Sequence, residues 1–97
     1  MNTIKKRYTE GQIKLQGIIE SLGFETILEK KFGDYFIDIF LPEIGKGIEW
    51  DSIGHYKKRD NKRDKILLNE YDIPVLRITD LKDKELGKKI LEFCLGD

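Results

Sequence analysis

Apolar side chains recur at helical spacing early in the chain. Leu15, Ile18, Ile19 and Leu22 fall on one stripe. Ahead of them stands Thr9-Glu10-Gly11-Gln12, a threonine N-cap with a glutamine three residues on. Gly23 is a natural stop. The pattern predicts a helix from Glu10 to Leu22. The period then shortens. Thr26 to Phe32 reads as a strand, Gly33-Asp34 as a turn, and the aromatic and β-branched run Tyr35 to Leu41 as a second strand. Pro42 to Gly47 interrupts, and Gly47 to Asp51 resumes as a third strand. Lys58 to Asn69 suits a second helix, basic at its start and apolar at Ile66, Leu67 and Leu68. Ile73 to Thr79 is a fourth strand with Pro74 at its entry, where a missing amide costs least. Leu86, Ile90, Phe93 and Cys94 form the stripe of a last helix. The order αβββαβα predicts an α/β (α+β) domain, a mixed sheet flanked by helices.

Composition narrows the class. A chain of 97 residues has room for one small domain, and no repeat or linker divides it. Charged residues make up 37% and the apolar group 39%, which reads as soluble and globular. No apolar run approaches the roughly 20 residues of a membrane span, and the first residues lack the apolar stretch of a secretory signal. No membrane partner is expected. The lone Cys94 excludes an internal disulfide framework and a cysteine-based zinc site, pointing to a reduced, cytoplasmic setting. Eighteen basic residues balance eighteen acidic ones, which counts against a polybasic partner acting through bulk charge.

Chemistry concentrates at three carboxylates. Asp38 interrupts an otherwise apolar strand, and burial there costs several kcal/mol unless the group is paired or bound to metal. Alternation sets Phe36, Asp38 and Phe40 on one face, with Ile37, Ile39 and Leu41 on the other. The same rule groups Glu49 with Asp51, opposite Ile48 and Trp50. Adjacent strands can therefore project Asp38, Glu49 and Asp51 into one pocket. A hard divalent ion would relieve their repulsion, and oxygen ligation suits Mg²⁺ or Mn²⁺. The same residues are also compatible with a solvated face or a strand edge turned to water.

The only histidine, His55, lies four residues past Asp51 in a glycine-bearing turn. Its near-neutral pKa suits a proton acceptor for an attacking water or a donor to phosphate, although a loop histidine is as readily structural. From Lys57 to Lys65 there are six basic and two acidic residues, a locally positive strip that includes Lys57, Lys58, Arg59, Lys62 and Arg63. Such a strip is commonly a solvated helix face. Directly after the carboxylate strand it could also contact a phosphodiester backbone.

Three segments together carry a resemblance: Phe36-Ile37-Asp38-Ile39-Phe40-Leu41-Pro42-Glu43, Gly47-Ile48-Glu49-Trp50-Asp51-Ser52-Ile53-Gly54-His55, and Arg59-Asp60 through to Ile73-Pro74-Val75-Leu76-Arg77-Ile78. Over Thr9 to Thr79 the chain resembles the PD-(D/E)xK nuclease superfamily, within it the branch related to very-short-patch mismatch repair endonucleases. That branch includes catalytic domains of phage intron-encoded homing endonucleases. The resemblance implies a restriction-endonuclease-like core and a Mg²⁺- or Mn²⁺-dependent DNA endonuclease, in a bacterial or phage setting, acting on double-stranded DNA. Asp38 and Glu49 match the metal-binding acids, and Asp51 stands where the signature has a lysine. His55 matches the histidine of the mismatch-repair-like branch, and Glu10 is the candidate for an acid on the first helix. Asp60 and Asp64 match acidic positions of the second helix, and Arg63 and Arg77 match basic ones. The zinc-binding cysteines of true mismatch-repair members are absent. Recognition of a target would call for a homodimer or an attached DNA-recognition domain. The other readings are a catalytically inactive DNA-binding module of the same fold, and a protein-interaction domain.

Overall fold

The computed structural model describes residues 8–51 and 57–96, with the side chains of 57–60 left out of the description. The elements are α1 (Glu10–Ser21), β1 (Ile27–Phe32), β2 (Tyr35–Leu41), β3 (Lys46–Trp50), α2 (Lys57–Tyr71), β4 (Val75–Ile78) and α3 (Leu86–Leu95). The expected order is thus found, with ends shifted by a residue or two. The strands form one four-stranded mixed sheet in the order β1-β2-β3-β4. β1, β2 and β3 are a meander of antiparallel neighbours, whereas β4 lies parallel to β3, reached through α2.

Local chemistry sets these elements. Thr9 caps α1 by accepting a hydrogen bond from the Gln12 amide at 3.1 Å. The two-residue turn between β1 and β2 opens on Gly33 at φ +61°, the position that a type II′ hairpin gives to glycine. At the far end of the chain, Lys46 Nζ donates to the Phe93 and Gly96 carbonyls at 2.6 and 2.9 Å. A cation there satisfies the open carbonyls of α3 and complements its dipole.

Each sheet face has its own core. Leu15 and Ile19 from α1, Ile39, Leu41, Ile48 and Ile78 from the sheet, and Leu86, Ile90 and Cys94 from α3 form the larger one. Ile37, Leu67 and Ile73 form the smaller one beneath α2, flanked by Phe32, Tyr35, Phe40 and Val75. Cys94 is core, as its place on the apolar stripe implies. Burying one such Leu or Ile contributes about 1.5–3 kcal/mol.

The smaller cluster corrects one expectation. Strict alternation put Ile37 on the same face as Ile39 and Leu41, but Ile37 packs under α2 while the other two face α1 and α3. The β1–β2 register pairs Leu28 with Ile39 and Lys30 with Ile37, and skips Glu29 and Asp38 between them. Glu29 takes φ +54° there, a left-handed conformation that a non-glycine residue rarely adopts. The pleat changes phase at this break, and Asp38 sits in it.

α1 crosses β3 so closely that a Cβ on Gly11 would lie 2.3 Å from Trp50 Nε1 and 2.4 Å from Trp50 Cε2. Helix propensity alone favours alanine over glycine by about 1 kcal/mol, but forced overpacking costs about 1–3 kcal/mol. Gly17 on the same helix has open space around it. Denaturant unfolding should therefore show G17A gaining about 1 kcal/mol and G11A losing stability. If G11A gains as much as G17A, the close approach of helix and indole is wrong.

Candidate functional site

The β2–β3 ladder runs through Leu41↔Lys46, Phe40↔Gly47 and Ile39↔Ile48 and then stops, while β3 stays paired with β4 as far as Trp50↔Ile78. Where β2 and β3 part, two acidic side chains take over the open backbone amides. Asp38 N donates to Glu49 Oε2 at 2.6 Å, and Trp50 N donates to Asp38 Oδ2 at 3.0 Å. Each strand thus supplies a carboxylate to the other's main chain. Asp38 and Glu49 are brought together as their spacing implied.

Three further residues close around this pair. Gln12, buried at 5% exposure, points its amide from α1 into the break in the sheet. Its Nε2 donates to Glu29 Oε2 at 3.0 Å and to the Asp38 carbonyl at 3.1 Å. From α2, Arg63 reaches Glu49 Oε2 at 3.1 Å, pairs with Asp64 at 3.2 Å, and also donates to the Phe36 carbonyl. Arg77 on β4 grips Asp64 through Nε and Nη2 at 3.1 and 2.9 Å, and its Nη1 lies 3.9 Å from Glu49. The left-handed backbone at Glu29 costs roughly 1–2 kcal/mol, and it sits opposite Asp38 at the edge of this network.

Even with two guanidinium groups nearby, burial and then neighbouring carboxylates disfavour the charged forms of both acids. Burial raises the Asp38 carboxyl above its usual range, the Trp50 amide works against that, and the neighbouring Glu29 carboxyl adds to the rise. Glu49 is pushed from 4.5 to about 7, first by burial and then by the charge of Asp38, with Arg63 and Arg77 opposing. A carboxylate pair with one member buried and the other half-buried suits a small divalent cation, which would favour both charged forms together. The donor set is all oxygen, as Mg²⁺ or Mn²⁺ requires. Asp38 and Glu49 therefore fit such an ion in charge and chemistry. Among the described residues, though, no three His, Cys, Asp or Glu side chains converge into a ready-made metal-ligand group.

Several candidates end up elsewhere. Glu10 is exposed and pairs with Lys14 at 3.8 Å, so α1 contributes Gln12 to the site in its place. The reason is angular: Gln12, Leu15 and Ile19 are the buried positions of α1, and Glu10 projects away from that stripe. Asp51 lies half-buried just past β3, with its amide donating to the Ile78 carbonyl at 2.9 Å. It does not complete a three-carboxylate metal group with Asp38 and Glu49. Arg63, expected on a DNA-facing strip, is turned inward onto Glu49 with its side chain only 14% exposed. Lys62 is exposed. Lys57, Lys58 and Arg59 fall in the first turn of α2, where side chains are not described, and His55 lies outside the described residues. Sequence reasoning missed Glu29 altogether. Gln12 carried a signal, since it stands three and seven residues before Leu15 and Ile19.

Comparison with family models, with curated proteins and with solved structures finds no match to this chain. No described helix is long and apolar enough to cross a membrane. What the site can do is carried by its own geometry.

The raised Glu49 group has a measurable consequence. Between pH 4.5 and about 7 the native state keeps a proton that the unfolded chain has released. Glu49 therefore adds stability that is full below pH 4.5 and lost as pH rises through about 7. In chelator, the melting temperature should fall from about pH 5 to about pH 8, and E49Q should flatten that fall. Equal slopes for E49Q and wild type would show that Glu49 ionises freely in the native state.

Proposed function

We propose that the chain is the catalytic domain of a Mg²⁺- or Mn²⁺-dependent DNA endonuclease that hydrolyses phosphodiester bonds in double-stranded DNA. The observation that carries this reading is the pair Asp38 and Glu49, interlocked through each other's strands at the point where β2 and β3 separate. A buried Glu49 and a half-buried Asp38, each with its charged form disfavoured, are what a hydrolytic metal site needs and what a packing role does not. The likeness of the chain to the PD-(D/E)xK nucleases of the very-short-patch-repair-like branch points the same way.

In this reading Asp38 and Glu49 hold the divalent ion. When bound, that ion supplies Lewis-acid stabilisation of charge on the scissile phosphate and a more acidic water. Arg63 and Arg77, already beside Glu49, supply fixed positive charge on the α2 side of the site. His55 takes the proton of the attacking water, and Asp51 assists from the end of β3. Lys57, Lys58, Arg59 and Lys62 contact the phosphate backbone as α2 leaves the site, adding affinity without sequence preference. Target selection then belongs to an attached recognition domain or to a second copy of the chain.

The engagement of Glu49 by Arg63 and Arg77 also favours a second reading, in which the same fold binds DNA without cutting it. Plasmid cleavage separates the two. With Mg²⁺ or Mn²⁺ the wild-type chain should nick or linearise supercoiled DNA, and D38A and E49A should each lose at least about 100-fold in rate. Salt-dependent DNA retention with wild-type cleavage no faster than that of the variants would establish the non-catalytic reading. Neither cleavage nor retention would remove both.

A further inference from the structure

We propose that Gln12 is a neutral positioning member of this site, whose side-chain oxygen holds a water carried by the divalent cation. The inference rests on the nuclease reading of the Asp38–Glu49 pair and extends it to a residue that no charge marks. Among the described residues, Gln12 and Glu49 are the buried polar side chains, at 5% and 8% exposure. Both engage the main chain of Asp38. Gln12 Nε2 donates to its carbonyl at 3.1 Å, and Glu49 Oε2 accepts from its amide at 2.6 Å. The second Nε2 hydrogen bond of Gln12 goes to Glu29 Oε2 at 3.0 Å. Its Oε1 meets no donor among the described residues.

The orientation of that amide is fixed by its neighbours. Turning it over would set Oε1 against two acceptor oxygens, so the hydrogen bonds decide which end is which. Tying α1 to the sheet needs only the donor end. The acceptor end is left over, and a buried acceptor without a donor works against folding. A hydrated divalent ion supplies the donor, because Mg²⁺ keeps several of its waters when carboxylates bind it. Among the described residues no three acids converge, and Gln12 adds an oxygen to the site without adding charge. Groups one step out from the ligands set metal affinity while leaving the ligand set itself unchanged.

The test is calorimetric titration of Mn²⁺ into the full chain and its Q12M, Q12E and D38N variants, with a metal-free melting transition of each to establish that it is folded. Q12M and Q12E both lose the amide donor, but only Q12M loses the oxygen. We expect Q12M to bind Mn²⁺ at least about tenfold more weakly than wild type, and Q12E to bind it at least as tightly as wild type. D38N should bind no Mn²⁺. If Q12M binds within about twofold of wild type, which is below the range of such outer groups, while D38N does not bind, the role of Gln12 is overturned and the nuclease site stands. A loss of about tenfold or more in Q12E identifies Gln12 as a structural tie acting through its donor end. That result overturns the proposal whether or not Q12M folds. Absence of Mn²⁺ binding by the wild-type chain overturns the metal reading of the site and this inference with it.

Discussion

Everything around the candidate site depends on the exchange of carboxylates between β2 and β3. A sheet that opens leaves amides without partners, and a buried unpaired amide costs about 1–3 kcal/mol. Here the Asp38 amide is taken by Glu49, and the Trp50 amide by Asp38. The opening is thereby stabilised and both acids are fixed in direction. The same step buries them, and burial is the largest cause of the upward shift in each. One local device thus marks where the strands part, orients the acids and disfavours their charged forms.

The surrounding network balances that charge only in part. Arg63 and Arg77 reach Glu49 from the α2 side, and Asp64 holds Arg77 and pairs with Arg63. On the other flank, Gln12 and Glu29 anchor the break in the β1–β2 register. A neutral chain as a whole therefore says little about what it binds. Asp38 and Glu49 meet where two strands diverge, and Arg63 and Arg77 face them there.

Most of the fold was legible because its signals are local. The Thr9 cap, the Gly33 turn, the aromatic run of β2 and the stripes of α1 and α3 each depend on neighbours in sequence. The pairing of Asp38 with Glu49 was legible as well, since a two-residue period on adjacent strands brings them into phase. The rest required tertiary information. Alternation fails at Ile37 because the pleat breaks at Glu29, eight residues away in the chain on the neighbouring strand. Glu10 is the exception, since its place off the apolar stripe of α1 is already set by the helical period, and Gln12 on that stripe enters the site instead. Arg63 belongs by composition to a basic surface strip, yet it turns inward to pair with the buried Glu49. Glu29 has no sequence signature, because its place opposite Asp38 comes from the pairing of β1 with β2.

The central claim is that the parted ends of β2 and β3 form a cation site bounded by Asp38 and Glu49. Diffraction at the Mn²⁺ absorption edge from crystals grown with that ion tests it most directly. The account predicts an anomalous peak within coordination distance of oxygens from both carboxylates. Ordered crystals with Glu49 still held by Arg63, and no peak beside Asp38 at saturating Mn²⁺, would contradict it.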